Sequence, residues 1–500
     1  MIWVLPITVI ALQAGIASIV PVYGSAAAHD NNAVSLVLLA LLAVALKPKI
    51  HVTSTVLLAF SSFWLIITPI LHKEFLFPSS MKWGPHWGPS ITFCTTIYPV
   101  LFCLCVIVIR GIRQTTLWAY VMVTVTLLTM PNLLNYLNRC ALNMSVGLTL
   151  FALSRQWTLM PLFVPAILHS ITHNPQCFAP LSKLNESLEK DNFSILDRLE
   201  STTGVVSVLQ GTVDGHEIRV LRNDHSLLGG EFLRPPEDVN APKTNGPFNG
   251  REPIFGVFNL LEAVRLVQHR GNATQKHALV IGLGVGTAAA GLMYHGEVVD
   301  VVEIDPVVYH FAREYFYLPR PNATYLEDAS QVLEYLPDDT YDYVLHDVFG
   351  GGSVPGHLFT KSFWQQLSRV MKPDGIVAVN FAGDLSSPAV ESVFATLANQ
   401  FSFCRSFRDQ KADSGHQYAN LVTFCSNLLV TFRRAEKQDF LGSLSRLEYL
   451  SPTYQVNLQD KADAQILESG EVLDRMQHPM AIGHWYLMRK LLPSRVWENW

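Results

Sequence analysis

The sequence predicts an α-helical transmembrane bundle followed by a doubly wound, Rossmann-like α/β domain with a small β lobe before it. Three observations predict this. Charged residues make up only 15% of the 500-residue chain, against about 25% in an ordinary soluble domain, and the deficit falls before Ile171. The stretch His277–Asp305 reads as strand, glycine-rich turn, helix and strand. After it, short apolar runs alternate with helical patterns to about Ser426, as crossover helices on a parallel sheet require.

In chain order, residues 1–171 are expected to be a membrane domain of about six spans, since a bilayer core needs roughly 20 apolar residues. These lie near Ile2–Val22, Ala33–Lys47, Thr53–Leu71, Ser90–Ile109, Thr115–Leu134 and Val146–Ile171. The first also carries the marks of a signal peptide, with a small-residue run at Gly24–Ala28, but lacks a basic start. Arg155 inside the last span belongs at an interface or against other helices, because an arginine at mid-bilayer costs about 2.5–3.5 kcal/mol. Lys47, Lys49, Arg110 and Arg113 place their loops, the N-terminus and, after six crossings, the C-terminal region in the cytosol. The loop Lys73–Pro89 would then face outward with Trp83, His86 and Trp87. Sequons at Asn185, Asn192, Asn272 and Asn322 would not meet the glycosylation machinery, and Asn143, the only sequon on the outer side, would lie very close to the membrane. The chain is therefore expected to be a multi-pass integral membrane protein with the lipid bilayer as a partner and its soluble domain cytosolic.

Residues 172–193 read as a linker and 194–250 as a β-hairpin lobe, with strands Val205–Leu209 and Glu217–Leu221 about a turn at Asp214-Gly215. Beyond them, Asp224–Gly230 suggests a loop near a ligand or a plain turn, with His225 a candidate substrate residue or a solvated histidine. Phe255–Val267 reads as an amphipathic helix opening the nucleoside-binding domain, 251–435. Residues 436–500 form a helical, aromatic tail in which Arg475–Trp500 packs on the domain or touches the membrane surface.

Gly282, Gly284 and Gly286 form the turn, where a side chain would hold the backbone away from a ligand. Glu303 ends the next strand and is placed to accept bonds from ribose hydroxyls. Asp328 with Ala329 follows a third strand, either to bind an adenine amine or to cap a helix. Asp347 ends the fourth. Ligands collect beyond the carboxyl ends of such strands, so Glu303, Asp328 and Asp347 together mark a site. The turn has no Lys or Arg and no P-loop, which points to a nucleoside without phosphates. Gly375–Phe381 reads as the fifth strand, and Ala419–Ser426 and Leu428–Arg433 as the closing ones.

The net charge of −5 and the absence of a basic stripe argue against nucleic acid. Seven scattered cysteines, without Cys-x-x-Cys or metal spacing, predict no metal site and read as buried thiols in a reduced compartment.

Ile281–Gly286, Val302–Val307, Asp328-Ala329 and the run Asp347–Phe363 with Leu358-Phe359-Thr360-Lys361 resemble spermidine/spermine synthases over roughly Ser194–Ser426. The resemblance implies a class I methyltransferase-type fold binding decarboxylated S-adenosylmethionine or S-adenosylmethionine, with Glu303 on the ribose, Asp328 and Ala329 on the adenine and Asp347 at the reacting centre. Two positions depart from it: Val285 and Gly350 stand where that family carries aspartates. Three functions remain open: aminopropyl transfer to a polyamine, methyl transfer to a protein, lipid or small molecule, and ligand binding without catalysis. A homodimer is equally open.

Overall fold

The computed structural model of the chain describes residues 4–111 and 139–499, apart from 25–26, 29–31, 47–48, 175, 178–179, 235–245, 269–274, 351, 412–417 and 459–463. It divides into two compact units, Met1–Ile195 with His484–Trp500, and Leu196–Gly483.

The first unit is helical. Its described helices include Val4–Tyr23, Asn32–Leu46, Ser54–Leu71, Ser80–Thr95, Ile97–Gly111, Arg139–Ser154 and Met160–Thr172. The expected span Thr115–Leu134 lies outside the described residues. Among those described, one continuous helix, Ser54–Leu76, is long and apolar enough to cross a bilayer, and Ser80–Thr95 with Ile97–Arg110 forms a second candidate bent by 46°.

Two expectations change here. Much of Lys73–Pro89, expected as a loop, is helical on both sides of Ser80, with a kink at Gly84 where φ is +63°. The apolar run Val146–Ile171 is not one helix. It breaks at Arg155, whose φ of +56° no helix can hold, and the Cys140–Cys177 disulfide joins the far ends of the two resulting helices. The segment is thus a closed hairpin. Asn143 is buried in this unit and donates to the Ser18 hydroxyl at 2.9 Å. The tail folds back within this unit: the Trp485 indole donates to the Val22 carbonyl at 2.8 Å, and the Arg489 guanidinium stacks 3.6 Å from the Trp485 ring.

The second unit opens with a five-stranded antiparallel sheet, β1 (Phe193–Glu200), β2 (Val205–Val213), β3 (His216–Asn223), β4 (Ser226–Phe232) and β5 (Glu252–Pro253), in sequential order. The larger sheet uses β6 (His277–Ile281), β7 (Val298–Val302), β8 (Ala323–Tyr325), β9 (Tyr341–His346), β10 (Met371–Asp384), β11 (Phe403–Arg408), β12 (Tyr418–Ser426) and β13 (Tyr454–Val456). Their order is β13-β11-β12-β10-β9-β6-β7-β8. Neighbours from β10 to β8 are parallel; β12, β11 and β13 pair antiparallel. The chain winds outward from β6 through β7 to β8, then restarts at β9 on the other side. This reversal between β6 and β9 opens a crevice at their carboxyl ends.

Three further expectations differ. Leu428–Arg433 is no strand; it contributes a single bridge, Phe432 to Val267, because β12 is already paired on both sides. Its place is taken by β11. Phe255–Val267 is not amphipathic: the short helices Val257–Leu261 and Glu262–Leu266 are packed from every side. Their one acid, Glu262, is fully buried and held by Arg446 at 2.6 and 2.8 Å. Finally, four cysteines are not thiols. Besides Cys140–Cys177, Cys404 on β11 pairs with Cys425 directly opposite on β12; Cys94, Cys103 and Cys105 are free.

Candidate active site

Each expected acid follows a different strand of the parallel sheet. The register aligns Ile281 with both His346 and Val302, and Val302 with Tyr325. The next amides extend the ladder: Asp347 N–H donates to Ile281 O at 2.8 Å, Gly282 N–H to Val302 O at 2.9 Å, and Glu303 N–H to Tyr325 O at 2.9 Å. Asp347, Gly282 and Glu303 thus sit side by side across the reversal. They span about 10 Å at one strand spacing of roughly 4.8 Å each, the scale of an adenosyl group.

The three glycines take positive φ, +81° at Gly282, +54° at Gly284 and +83° at Gly286. Their missing side chains are accounted for by protein rather than ligand. A Cβ at Gly282 would lie 2.1 Å from the Asp347 carbonyl oxygen, at Gly284 2.4 Å from the Leu228 carbonyl oxygen, and at Gly286 2.7 Å from Leu318 Cδ1. The turn is pinned between the end of β9 and β4 of the lobe. Val285 is buried in the same joint, against Val206, Val208, Leu221 and Phe311. A small cleft, open to solvent, lies beside the turn between Phe258, Leu283, Thr287 and Asp347.

Glu303 is buried, with its carboxylate accepting from the amides of Leu283 and Asp305, each at 2.9 Å. Burial outweighs these bonds and raises its pKa to about 7. Asp305, fully buried, caps the helix Pro306–Tyr315 and accepts from Ser201 and Thr203 of the lobe. Asp328 caps a helix and is paired on its other oxygen as well. One oxygen caps Ala329–Tyr335 through Ser330; the other accepts from His357 Nε2 at 2.9 Å. That bond chiefly lowers the Asp328 pKa to about 2 and raises that of His357. Ala329 is buried at the first turn of the helix, where backbone N–H groups lack intrahelical partners.

Asp347 is half-buried. Its Oδ1 accepts from Asn380 Nδ2 at 2.8 Å, and desolvation, only partly offset by that bond, raises its pKa to about 6. His346 just before it is buried among the rings of Phe359, Phe363 and Trp364, which fixes the backbone from which Asp347 projects. The loop after it is clamped from outside: Gln477 bonds both backbone groups of Val354, and Asp474 accepts from Gly356 N–H at 3.0 Å.

Glu303, Asp347 and the glycine turn therefore meet at one rim. Asp328 lies at the next strand end, already occupied by His357. His225 is buried in the two-residue turn between β3 and β4, three residues before the Leu228 carbonyl that covers Gly284. Sequence reading missed Asn380. Its signal was there only in register: Val379 pairs with His346, so Asn380 stands opposite Asp347. No group of three or more metal-ligating side chains occurs among the described residues.

A parallel sheet with this strand order, an antiparallel hairpin closing one edge and acids at the reversal defines a methyltransferase-like α/β domain. Residues 258–398 match the Spermine/spermidine synthase domain family. The chain is 38% identical over 368 residues to an N-terminal histidine N-methyltransferase of Emericella nidulans, covering 68% of this chain and 64% of that protein. It is 32% identical over 139 residues to a polyamine aminopropyltransferase of Vibrio vulnificus, covering 26% and 46%. The chain thus spans less than two thirds of the length of these curated relatives. A probable spermidine synthase from Corynebacterium glutamicum superposes with a TM-score of 0.43 at 17% identity, over 55% of this chain and 96% of that one.

Proposed function

We propose that this chain is an S-adenosylmethionine-dependent methyltransferase whose acceptor is an imidazole nitrogen, that of an N-terminal histidine. The observation that carries it is the environment of Val285. An aminopropyl donor lacks the carboxylate of S-adenosylmethionine, so its ammonium is left uncompensated, and burying such a cation demands nearby carboxylates. Val285 instead joins an apolar cluster with Val208, Leu221 and Phe311. Gly350, the other departure, is bare by choice of chemistry rather than by packing, since a Cβ there would meet nothing nearer than 4.0 Å. The Emericella relative adds the acceptor class.

S-adenosylmethionine supplies a methyl group on a sulfonium sulfur. The ring nitrogen's lone pair forms the new N–C bond as the S–C bond breaks, its electron pair leaving with sulfur. Asp347 accepts the hydrogen bond of the other ring nitrogen, which turns the lone pair toward the methyl group, and then takes that proton from the methylimidazolium. A carboxyl with a pKa near 6 is ionised at neutral pH and close enough to imidazole to exchange the proton. The turn and Glu303 hold the nucleoside, so alignment supplies much of the rate. Aminopropyl transfer from decarboxylated S-adenosylmethionine is the second reading, supported by the family match over 258–398. Purified full-length protein, given either donor with a histidine-first peptide or putrescine and spermidine, discriminates by mass spectrometry. A peptide gaining one methyl group supports the first reading; an elongated polyamine overturns it.

The helical unit is read as membrane-embedded. Support comes from exposed apolar side chains on its helices, such as Leu38 at 60%, Leu162 at 59% and Leu168 at 55%, a surface that suits lipid. In place of the expected cytosolic side, residues 196–483 are read as facing an oxidising compartment. Disulfides persist on oxidising sides of membranes, and Cys404–Cys425 agrees with that placement. Glycosidase-sensitive mass on Asn322 in membranes supports it; cytosolic protease access to an intact-membrane preparation overturns it.

A further inference from the structure

Asn380 occupies a place that the fold alone does not explain. It sits on β10 opposite Asp347, half-buried, and spends its Nδ2 on the Asp347 carboxylate at 2.8 Å. Its own Oδ1 is buried and has no hydrogen-bond partner among the described residues. The amide cannot be flipped to relieve this, because flipping would set its oxygen against the carboxylate. A buried acceptor left unpaired costs about 1–3 kcal/mol, and a leucine of the same size would avoid that cost. Such a group is retained where something else supplies the donor. Beside it, only one oxygen of the Asp347 carboxylate is engaged among the described residues. Two acceptors are therefore left over on one bonded pair of side chains at the reversal of the sheet.

We propose that Asn380 is the second residue of the acceptor site: Asp347 Oδ2 and Asn380 Oδ1 together receive two N–H groups of the nitrogen substrate. This rests on the methyl-transfer reading and deepens it. A nucleophile bearing a single N–H leaves one acceptor unpaired. An N-terminal histidine, with its ring N–H and its α-ammonium, fills both. The Asn380 Nδ2 bond has a separate task. It fixes which carboxylate oxygen is free and keeps that carboxylate ionised, so Asn380 is a positioning residue for Asp347 as well as a contact for the substrate.

The experiment compares wild type, Asn380→Leu and Asn380→Ser in full-length protein. S-adenosylhomocysteine binding is measured by calorimetry, and methylation of a histidine-first peptide and of its N-acetylated form is followed across pH 5–9. Asn380→Leu is expected to bind S-adenosylhomocysteine as wild type does and to raise the peptide KM by about tenfold or more. Its acid limb of kcat/KM should move upward, because Asp347 loses the donor that favours its charged form. Asn380→Ser, which keeps a small donor and acceptor, should recover part of both. Wild type should prefer the free peptide to the acetylated one, and Asn380→Leu should narrow that preference. A loss of kcat with KM, pH limb and preference unchanged would mean a structural role and overturns this proposal alone. No methylated peptide from wild type overturns the methyl-transfer reading, and this proposal with it.

Discussion

Replacing Gly282 with alanine tests the joint between the glycine turn and Asp347. Gly282 has φ of +81°, and an added Cβ would lie 2.1 Å from the Asp347 carbonyl oxygen. The positive φ costs an alanine about 1–2 kcal/mol. Ordinary van der Waals contact begins near 3.4 Å, so the carbonyl must retreat by more than an ångström. It is backbone and cannot rotate away, and overpacking of this kind costs about 1–3 kcal/mol. Alanine stiffens the unfolded chain and returns about 0.4–1 kcal/mol. The net loss is about 2–4 kcal/mol. Gly296 supplies the control: its φ is +85°, but nothing lies within 4 Å of an added Cβ. Gly296→Ala meets the conformational cost alone, about 1 kcal/mol. Thermal shift of both variants, with S-adenosylhomocysteine titration, reads the difference. Gly282→Ala should also cost about 100-fold in turnover, because the displaced backbone carries Asp347 and misplacement by about 1 Å has that effect. Equal thermal losses for the two variants, with turnover intact in both, would refute the reasoning.

Asp347→Asn should abolish methylation while leaving S-adenosylhomocysteine binding within about twofold, since the proposed nucleoside site is the turn with Glu303, and Asp347 is assigned to the acceptor; calorimetry beside a turnover assay checks it. Glu303, raised to about 7 by burial, should ionise when ribose hydroxyls donate to it. Binding should then tighten as pH rises towards about 7 and level off above it, with a proton released below about 7, seen as a buffer-dependent enthalpy that Glu303→Gln removes. The pair His357–Asp328 should stabilise the fold most between the two ordinary pKa values, about 3.9 and 6.5. His357 is raised, so its contribution is full below 6.5 and fades as pH climbs through the folded value. Asp328 is lowered to about 2, so its contribution is full above 3.9 and fades towards pH 2. The melting-temperature gap between wild type and His357→Ala should therefore shrink from pH 6 to pH 9.

The parallel strands were legible because a strand buried on both faces must be a short apolar run, as in β6, β7 and β9. β11 was not: Phe403–Arg408 mixes two arginines, a serine and a cysteine, as fits a strand near the sheet's edge. Leu428–Arg433 looked better as a strand and lost, because ladder positions are finite and β11 already pairs β12. The break at Arg155 left no trace in composition, since the apolar count on either side is what a single span would show. Long-range partners were invisible for a plainer reason. Asn380 meets Asp347 across 33 residues, and Gln477 meets Val354 across 123; only register brings them together. The Cys404–Cys425 pair became readable once β11 was set against β12.

The features that mark a ligand differ between the sequence and the folded chain. Read as sequence, the glycine turn is the strongest sign, because its bare backbone invites a nucleoside. In the folded chain every one of its missing side chains is claimed by protein: the Asp347 carbonyl, the Leu228 carbonyl and Leu318. A turn of this shape would be needed to join the lobe to the sheet with no ligand at all. The polar groups around it resist that explanation. A protein selected only for stability would not leave Asp347 desolvated with a single bond from Asn380, nor bury an amide oxygen beside it unpaired, since apolar side chains of similar size would fit without either cost. Local violations of good packing collect where a fold performs a task. That these violations fall where the strand order reverses, the place where parallel sheets admit ligands, ties the chemistry to the topology more firmly than the glycines do.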